Sequence, residues 1–580
     1  MVRSLHWLAT SAGLALLPFS QAIPALVQGS STCRYLPGDS EWPSAADWHQ
    51  LNTTVGGRLS ATVPLGAPCH EPHYDAAQCA YLAAEWIYPE LHANSSSSFS
   101  NPYFQNQSCD PFTSKTSPCL LGNYPDYTID VRGAADAAAG VTFAREHNIR
   151  LVIKNTGHDL LGRSSGKGSL GLWTHHMKNI SILDYHHPRY TGKAMKMGAG
   201  VQGFDAYAAA HKAGLRVVGG TCSTVGLAGG YTQGGGHSML STLYGLSADQ
   251  VLEWEVVLAD GRHVVATPTD YPDLYWALSG GGGGTYAVVL SMTVKAHADG
   301  IVTGASVTVT QTNSSDAFWE AVTAFHTAMP AWIAKGAATA YVIMDGSLYL
   351  MPATFPGYNA SEVNGFMQPF VAQLQRLAVN YTISVNSFDN YYTFFDTFFG
   401  PLPDGSYTNA QVQGGRLIPR EVLMSADSNR ALTAALREIS SNRAFRIIGV
   451  GTDVSRGGDV PNAVFPGWRK AITWIELTAD WDFTQSYATN VANETLITNH
   501  YDPLLTQVTG LANNSGAYLN EGDFRQKDFQ TQFFGGNYAS LKQVKRRYDP
   551  EGVFYGTALV GSDDWEVASD GRLCRSSESN

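Results

Sequence analysis

Charge is scarce in this sequence and unbalanced. Only 15% of its 580 residues are Asp, Glu, Lys or Arg, and the acidic ones outnumber the basic ones 49 to 37, for a formal net charge of -12. A nucleic-acid partner is excluded on that ground, because such proteins gather positive charge on one face; the one basic cluster, Lys545-Arg546-Arg547, is too short to reverse the balance. Long apolar runs are missing too. Beyond the first residues nothing approaches the roughly 20 apolar positions of a spanning helix, so no membrane partner is expected. Hydrolase signatures are absent: there is no G-x-S-x-G elbow, and His70-Glu71-Pro72-His73 has the wrong spacing, and a proline, for a zinc-binding helix. No metal site is expected.

Residues 1–22 read as a secretory signal. Arg3 supplies the positive start, Leu14-Ala15-Leu16-Leu17 the apolar stretch and Ser20-Gln21-Ala22 a small-x-small cleavage site, so the mature chain would begin near Ile23. A membrane anchor is the alternative, but Ser11, Gly13 and Pro18 interrupt the apolar run. Sequons at Asn52, Asn94, Asn106, Asn179, Asn313, Asn359, Asn380, Asn493 and Asn513 are consistent with export. A secreted, soluble, monomeric glycoprotein is expected.

Cysteine is sparse, with seven in the chain: Cys33, Cys69, Cys79, Cys109, Cys119, Cys222 and Cys574. An odd number in an exported protein leaves one thiol over. Cys69 with Cys79 and Cys109 with Cys119 are near enough in sequence to close small loops, and Cys33 with Cys574 would then tie the termini together. Other pairings stay open, since six cysteines admit many. Cys222 is the odd one out.

Residues 23–124 are rich in Pro, Ser and Asn and read as a loop-rich arm stapled by disulfides. The stretch 125–298 reads as one α+β unit. It has a helix over 130–147, strands at 151–154 and 215–218, a polar loop at 155–168 and a helix at 204–213. A hairpin of 251–258 with 263–267 follows, then a short helix at 271–278 and a strand at 286–294. In 299–515, amphipathic helices near 315–328, 360–378, 426–440 and 483–510 alternate with strand-like runs such as 347–351 and 445–450, which makes a second domain. A closing segment, 516–580, ends the chain.

Glycine is what the sequence has in plenty. Eight of the nineteen residues from 219 to 237 (G-G-T-C-S-T-V-G-L-A-G-G-Y-T-Q-G-G-G-H) are glycine, beside the lone thiol of Cys222. Bare backbone lets the main chain approach a ligand closely, which points to something large bound there. A second cradle is Asn155-Thr156-Gly157-His158-Asp159, where consecutive N–H groups follow a strand with an imidazole among them. Residues 166–171 match G-x-G-x-x-G, but that fingerprint needs a strand before it and a helix after it. A polar loop precedes these residues and a strand-like run at 180–183 follows, so a plain loop is expected.

Together these stretches carry a family likeness. K-N-T-G-H-D-L-L-G-R-S at 154–164, the stretch 219–237 and W-A-L-S-G-G-G-G-G-T-Y-A-V-V at 276–289 resemble the FAD-binding domain of the vanillyl-alcohol-oxidase superfamily. The closing run from Asn537-Tyr538 to Tyr548-Asp549-Pro550-Glu551-Gly552-Val553-Phe554-Tyr555 is similar to that of berberine-bridge-enzyme-like oxidoreductases, and the whole looks most like secreted fungal proteins of the isoamyl-alcohol-oxidase type. The resemblance implies an α+β fold: a two-part FAD-binding domain, completed by 516–580, plus an α+β substrate domain with an antiparallel sheet.

It also implies site residues. The T-G-H histidine of the family, which bonds the flavin 8α-methyl, falls on His158, and the cysteine that bonds flavin C6 in the bicovalent branch falls on Cys222. Around them the resemblance places Asn155, Thr156, Gly157, Asp159 and Ser164 from the first loop. From the second it places Gly219, Thr221, Val225, Gly226, Gly229, Gly230, Thr232, Gln233, Gly234, Gly236 and His237; Val288 and Asn537 complete the set. Relatives carry G-G-H before the glycine triplet, where Gly229-Gly230-Tyr231 stands here, so His237 is a candidate replacement beside a simple packing role. Y-x-N-x-x-D, here Tyr518-Leu519-Asn520-Glu521-Gly522-Asp523, crosses the substrate side of the flavin in the family. Tyr518, Asn520 and Glu521 are therefore the catalytic candidates, with Glu521 as the base that takes an alcohol proton.

The expected activity is that of a secreted FAD-dependent oxidase, with the flavin bicovalently attached, which dehydrogenates an alcohol or similar small molecule and returns the electrons to O2 as H2O2. Two alternatives remain: an oxidative cyclase or desaturase of secondary metabolites on the same flavin scaffold, and a non-catalytic glycan-binding glycoprotein.

Overall fold

The computed structural model describes residues 33–311, 314–408, 410–459, 461–510 and 515–576. The expected signal at 1–22 and the sequons at Asn313 and Asn513 lie outside them. From Cys33 onward the chain forms one compact unit.

Two sheets flank one helix at its N-terminal side. The first has the strand order Leu59–Ala61, Tyr127–Asp130, Ser169–Trp173, Arg150–Lys154, with the last three mutually parallel. The second is antiparallel: Ile180–His187, Tyr190–Gly198, Val288–Lys295, Val251–Val257, His263–Ala266. Helix Ala134–Glu146 packs against strands of both sheets. Its alanine-rich face permits close approach, and at Gly140 a Cβ would lie 2.5 Å from Leu172 Cδ2. Trp48, Ile129, Val141, Leu170, Val257 and Val288 fill the core between them.

The other half is built on a seven-stranded antiparallel sheet in the order Asn380–Phe388, Val302–Thr310, Ser347–Pro356, Ala338–Met344, Phe445–Gly451, Ala471–Asp480, Gln411–Pro419. Alternation divides its residues between two cores. Ile447, Ile475, Leu477 and Val412 face the helices Ser315–Ile333, Ala360–Arg376 and Ala426–Ser441. Val450, Trp474 and Leu417 face the side of the glycine-rich stretch, in a core shared with Leu227 and Ala228. Helix Ser315–Ile333 starts where the Ser314 side chain accepts from Ala317 N, and it buries Phe318, Phe325, Met329 and Trp332. Each such side chain contributes roughly 1.5–3 kcal/mol.

The chain end returns to the first half. Helix Tyr538–Tyr548 packs on helix Pro272–Leu278, and the buried ammonium of Lys545 donates to Thr285 O at 2.8 Å and to Phe554 O at 2.6 Å. Disulfides join Cys33 to Cys574, Cys69 to Cys79 and Cys109 to Cys119, leaving Cys222 unpaired; of the pairings the sequence left open, these include the two short loops and the link between the chain's ends.

Several local readings are corrected. The arm holds two ten-residue helices, Ala45–Thr54 and Ala76–Glu85, nucleated by Ser44 and Asp75 caps, and its strand Leu59–Ala61 joins the first sheet. The expected helix at 130–147 is present as Ala134–Glu146, while its first residue, Asp130, ends the strand Tyr127–Asp130. The expected helix at 483–510 is broken into Tyr487–Leu496, a wider turn at Ile497–Tyr501, and Asp502–Thr509, which restarts with proline in its first turn. The 166–171 stretch is only half loop, since Ser169–Trp173 is a central strand.

Candidate active site

Two loops and one face of the large sheet enclose a cavity of about 740 Å³, within the usual range for a cofactor or ligand site. The first loop leaves strand Arg150–Lys154. Gly157 turns it with a φ of +81°, and Asp159 ties it by accepting from Leu161 N at 3.1 Å and Ser164 N at 2.6 Å. Beneath it Lys154 is buried, its ammonium donating to His92 O and Ser95 O. Burial pushes this lysine down to about 7.

His158 and Cys222, from different loops, converge on one hydroxyl. Nε2 of His158 is 2.9 Å from Thr224 Oγ1, and Sγ of Cys222 is 3.5 Å from the same oxygen. Burial, with smaller contributions from His92 and Lys154, drives His158 down to about 3, so its imidazole is neutral. Burial raises the Cys222 thiol to about 11, against hydrogen bonds from Thr224.

The glycines here serve close approach. A Cβ at Gly226 would lie 2.5 Å from Asn155 Nδ2, and one at Gly283 would lie 2.8 Å from Gly230 Cα, so two backbones touch. At Gly230 a side chain would meet nothing within 4 Å. Around this floor, Asn155 Oδ1 and Gln233 Oε1 are buried without a hydrogen-bond partner, although both residues line the cavity. Polar atoms left over beside bare backbone fit a large flat ring with hydrogen-bonding edges, and the residues present fit FAD.

The opposite wall is acidic. Glu521 faces His237, whose Nε2 is 3.1 and 3.2 Å from its two oxygens. The Tyr518 hydroxyl is fixed by Asn520 Nδ2 at 2.8 Å and Gly236 N at 3.2 Å. From strand Ala471–Asp480 comes Glu476, buried and also lining the cavity. Burial first, then the charge of Glu521, opposed by Arg446, holds the Glu476 carboxyl well above the usual range.

Most residues expected from sequence meet at this cavity: Asn155, Thr156, Gly157, His158, Asp159, Ser164, Thr221, Cys222, Val225, Gly226, Gly229, Gly230, Gln233, His237, Tyr518, Asn520 and Glu521 all line it. Gly219, Thr232, Gly234 and Gly236 stand behind it as supports. Thr232 Oγ1 bonds Leu227 O at 2.6 Å, and a Cβ at Gly234 would strike Asn520 Oδ1. Val288 points into the apolar core, because its neighbours Ala287 and Val289 are the ones that line the cavity. Asn537 instead braces another segment, donating to Ala463 O and Val464 O. Sequence reasoning missed Arg163, Tyr407, Arg446 and Glu476, all on the cavity wall. A sign of Glu476 was available: it is the one charged residue between Ala471 and Ala479.

Comparison with known proteins agrees with this geometry. An FAD binding domain model matches residues 125–267, and a berberine and berberine like model matches residues 517–558. The FAD-linked oxidoreductase ZEB1 of Gibberella zeae is 45% identical, over 94% of this chain and 96% of its own. The bifunctional decalin synthase calF of Penicillium decumbens is 42% identical, over 97% of this chain and 99% of its own. The crystal structure of the VAO-type flavoprotein MtVAO615 from Myceliophthora thermophila C1 superposes with a TM-score of 0.90 at 44% identity, covering 94% of this chain and all of that one. Such likeness along nearly the whole length sets aside a non-catalytic glycan binder, and the chain belongs to the vanillyl-alcohol-oxidase superfamily as a berberine-bridge-like, FAD-linked oxidoreductase.

Proposed function

We propose that this enzyme is a secreted oxidase that holds FAD by two covalent bonds, through His158 and Cys222, and dehydrogenates an alcohol. The observation that carries the reading is the meeting of His158 and Cys222 at Thr224 on one wall of a cavity whose other wall presents Glu521 and Glu476. Bound there, the flavin supplies a two-electron acceptor that O2 reoxidises with release of H2O2. Glu521, oriented by His237, takes the proton of the substrate hydroxyl at a carboxylate oxygen. Glu476 faces it as a buried acid that retains its proton, so the wall carries one negative charge rather than two. Tyr518 and Asn520 hold the loop that presents Glu521.

The three disulfides support export. So do the described sequons: Asn94, Asn106, Asn179, Asn359 and Asn380 are exposed, and Asn52 and Asn493 half-buried. No described helix is long and apolar enough to cross a membrane, and a monomer suits the proposal. A second reading, ring-forming oxidation of a secondary metabolite at the same site, draws on the likeness to the decalin synthase. Peroxide release and product analysis with purified holoenzyme, across simple alcohols, sugars and polyketides, separate the two. Release with simple alcohols supports the first. Turnover confined to polyketides, with ring closure and no carbonyl product, supports the second.

A further inference from the structure

Behind the cavity wall, one hydroxyl joins the two side chains through which the flavin is proposed to be bonded. Thr224 does not itself line the cavity and is 1% exposed. Its Oγ1 nevertheless lies 2.9 Å from Nε2 of His158 and 3.5 Å from Sγ of Cys222, and both of those residues do line it. The backbone on either side fixes the hydroxyl independently of these two partners. Thr224 O accepts from Gln202 Nε2 at 2.6 Å, and Gln202 Oε1 accepts in turn from Lys178 Nζ at 2.7 Å. Val225 N donates to Cys222 O at 3.3 Å, and Val225 O accepts from Gly203 N at 3.0 Å.

A hydroxyl has one proton to give, and so has a neutral imidazole. Burial keeps the His158 ring neutral, which leaves two directions of donation along the chain of three groups. In the first, the Cys222 thiol donates to Thr224 and Thr224 donates to Nε2. The sulfur then keeps its proton and the ring carries its own on Nδ1, so neither nucleophile is ready. In the second, Nε2–H donates to Oγ1 and the Thr224 proton turns to Sγ. The ring lone pair then sits on Nδ1, and a hydrogen bond to sulfur favours the thiolate, its reactive form. Only the second direction prepares both groups.

We propose that Thr224 is a positioning residue for both attachments, its Oγ1 accepting from His158 Nε2–H, so that Nδ1 is turned to the flavin, and donating to Cys222 Sγ. The role rests on the bicovalent reading above. Each attachment replaces one C–H bond of the flavin, by C–N at the 8α-methyl or by C–S at C6. The C–H proton and the proton of the imidazole or thiol leave, and the two electrons of the broken C–H bond pass to the ring. O2 takes up both electrons and both protons as H2O2.

Full-length chains produced under riboflavin starvation and then given FAD test this, with each bond followed alone. The Cys222→Ala background reports attachment to His158, and the His158→Ala background attachment to Cys222; acid-precipitable flavin is timed, and intact mass confirms the adduct. In both backgrounds Thr224→Val, which keeps the shape and removes the hydroxyl, should slow attachment about tenfold or more. Thr224→Ser, which keeps the hydroxyl and loses the methyl, should stay within about threefold. Packing alone would reverse that order, with valine harmless and serine harmful. The reversed order, an unchanged rate with valine, or slowing of one bond only would overturn the role of Thr224. Thr224→Ala needs no more room than serine and should slow both bonds as valine does, so the test holds even if valine is not accommodated. Complete release of flavin by acid from the protein with His158, Cys222 and Thr224 all intact would overturn the bicovalent reading and this role with it. Covalent flavin in that protein, with no slowing in the valine and alanine variants, overturns the role of Thr224 alone.

Discussion

Nε2 of His237 lies 3.1 Å from one carboxylate oxygen of Glu521 and 3.2 Å from the other, while its Nδ1 is buried without a hydrogen-bond partner. The two-pronged contact makes Nε2 the donor, so the ring aims Glu521 into the cavity instead of competing for the substrate proton.

Replacing that carboxylate should therefore remove chemistry and spare structure. Glu521→Gln keeps the shape and the contact with His237. Flavin content and colour should survive, while the stopped-flow rate of flavin reduction falls by about 100-fold or more, the usual size of a lost general base. An unchanged rate would show that Glu521 is not the proton acceptor.

The proposed attachment through His158 and Cys222 predicts a colour that denaturation does not remove. Acid-precipitated protein should stay yellow, with free flavin absent from the supernatant. His158→Ala and Cys222→Ala should each keep some covalent flavin, and the double variant none. Denatured, unreduced holoprotein should show no stoichiometric free thiol, because six cysteines are paired and the proposed attachment uses the seventh. One free thiol per chain with flavin still bonded would make Cys222 a bystander.

That His158, Cys222 and Glu521 were legible in sequence, and Glu476 and Arg446 were not, has a physical reason. The first three sit in short contiguous stretches whose glycines and neighbours are fixed by local backbone demands. Glu476 and Arg446 become site residues only through strand pairing across the large sheet, and register is a non-local property. The strands themselves were partly hidden: Gln411–Pro419 is buried at every position and Ala471–Asp480 at all but the last, so the alternation of Ile475, Leu477 and Ala479 with Glu476, Thr478 and Asp480 marks two buried faces and not a buried and a solvated one. Val288 was misplaced for the same reason, since a one-residue step along a strand exchanges core for cavity.

The two tethers should differ in pH dependence. His158, held down to about 3, is neutral at any working pH, so attachment there should change little between about pH 5 and 9. Cys222, held up to about 11, is almost all thiol at neutral pH, and the thiolate is the reactive form. In a His158→Ala variant reconstituted with FAD, attachment to Cys222 should accelerate about tenfold per pH unit from roughly pH 7 to 9. A flat profile would mean that proton removal from the thiol does not limit the bond.

Beneath the loop that presents Glu521 lies a set of buried carboxyls whose titration should show in stability. Burial, then the charge of Asp523, raises Glu494 well above the usual range. Burial and Asp523, opposed by Arg416, raise Asp502 likewise. A folded-state value above the unfolded one means that the native protein binds a proton the unfolded chain has released. The stabilisation is fully present below about pH 4 and declines as pH rises toward the folded values, by about 1.4 kcal/mol per group and pH unit. Glu494→Gln and Asp502→Asn keep a neutral polar group in place at every pH. Each should therefore lower the melting temperature little or not at all near pH 5 and raise it by a few degrees relative to wild type near pH 8, measured by scanning calorimetry. A difference between variant and wild type that is the same at both pH values would show that these carboxyls do not change protonation on unfolding in this range.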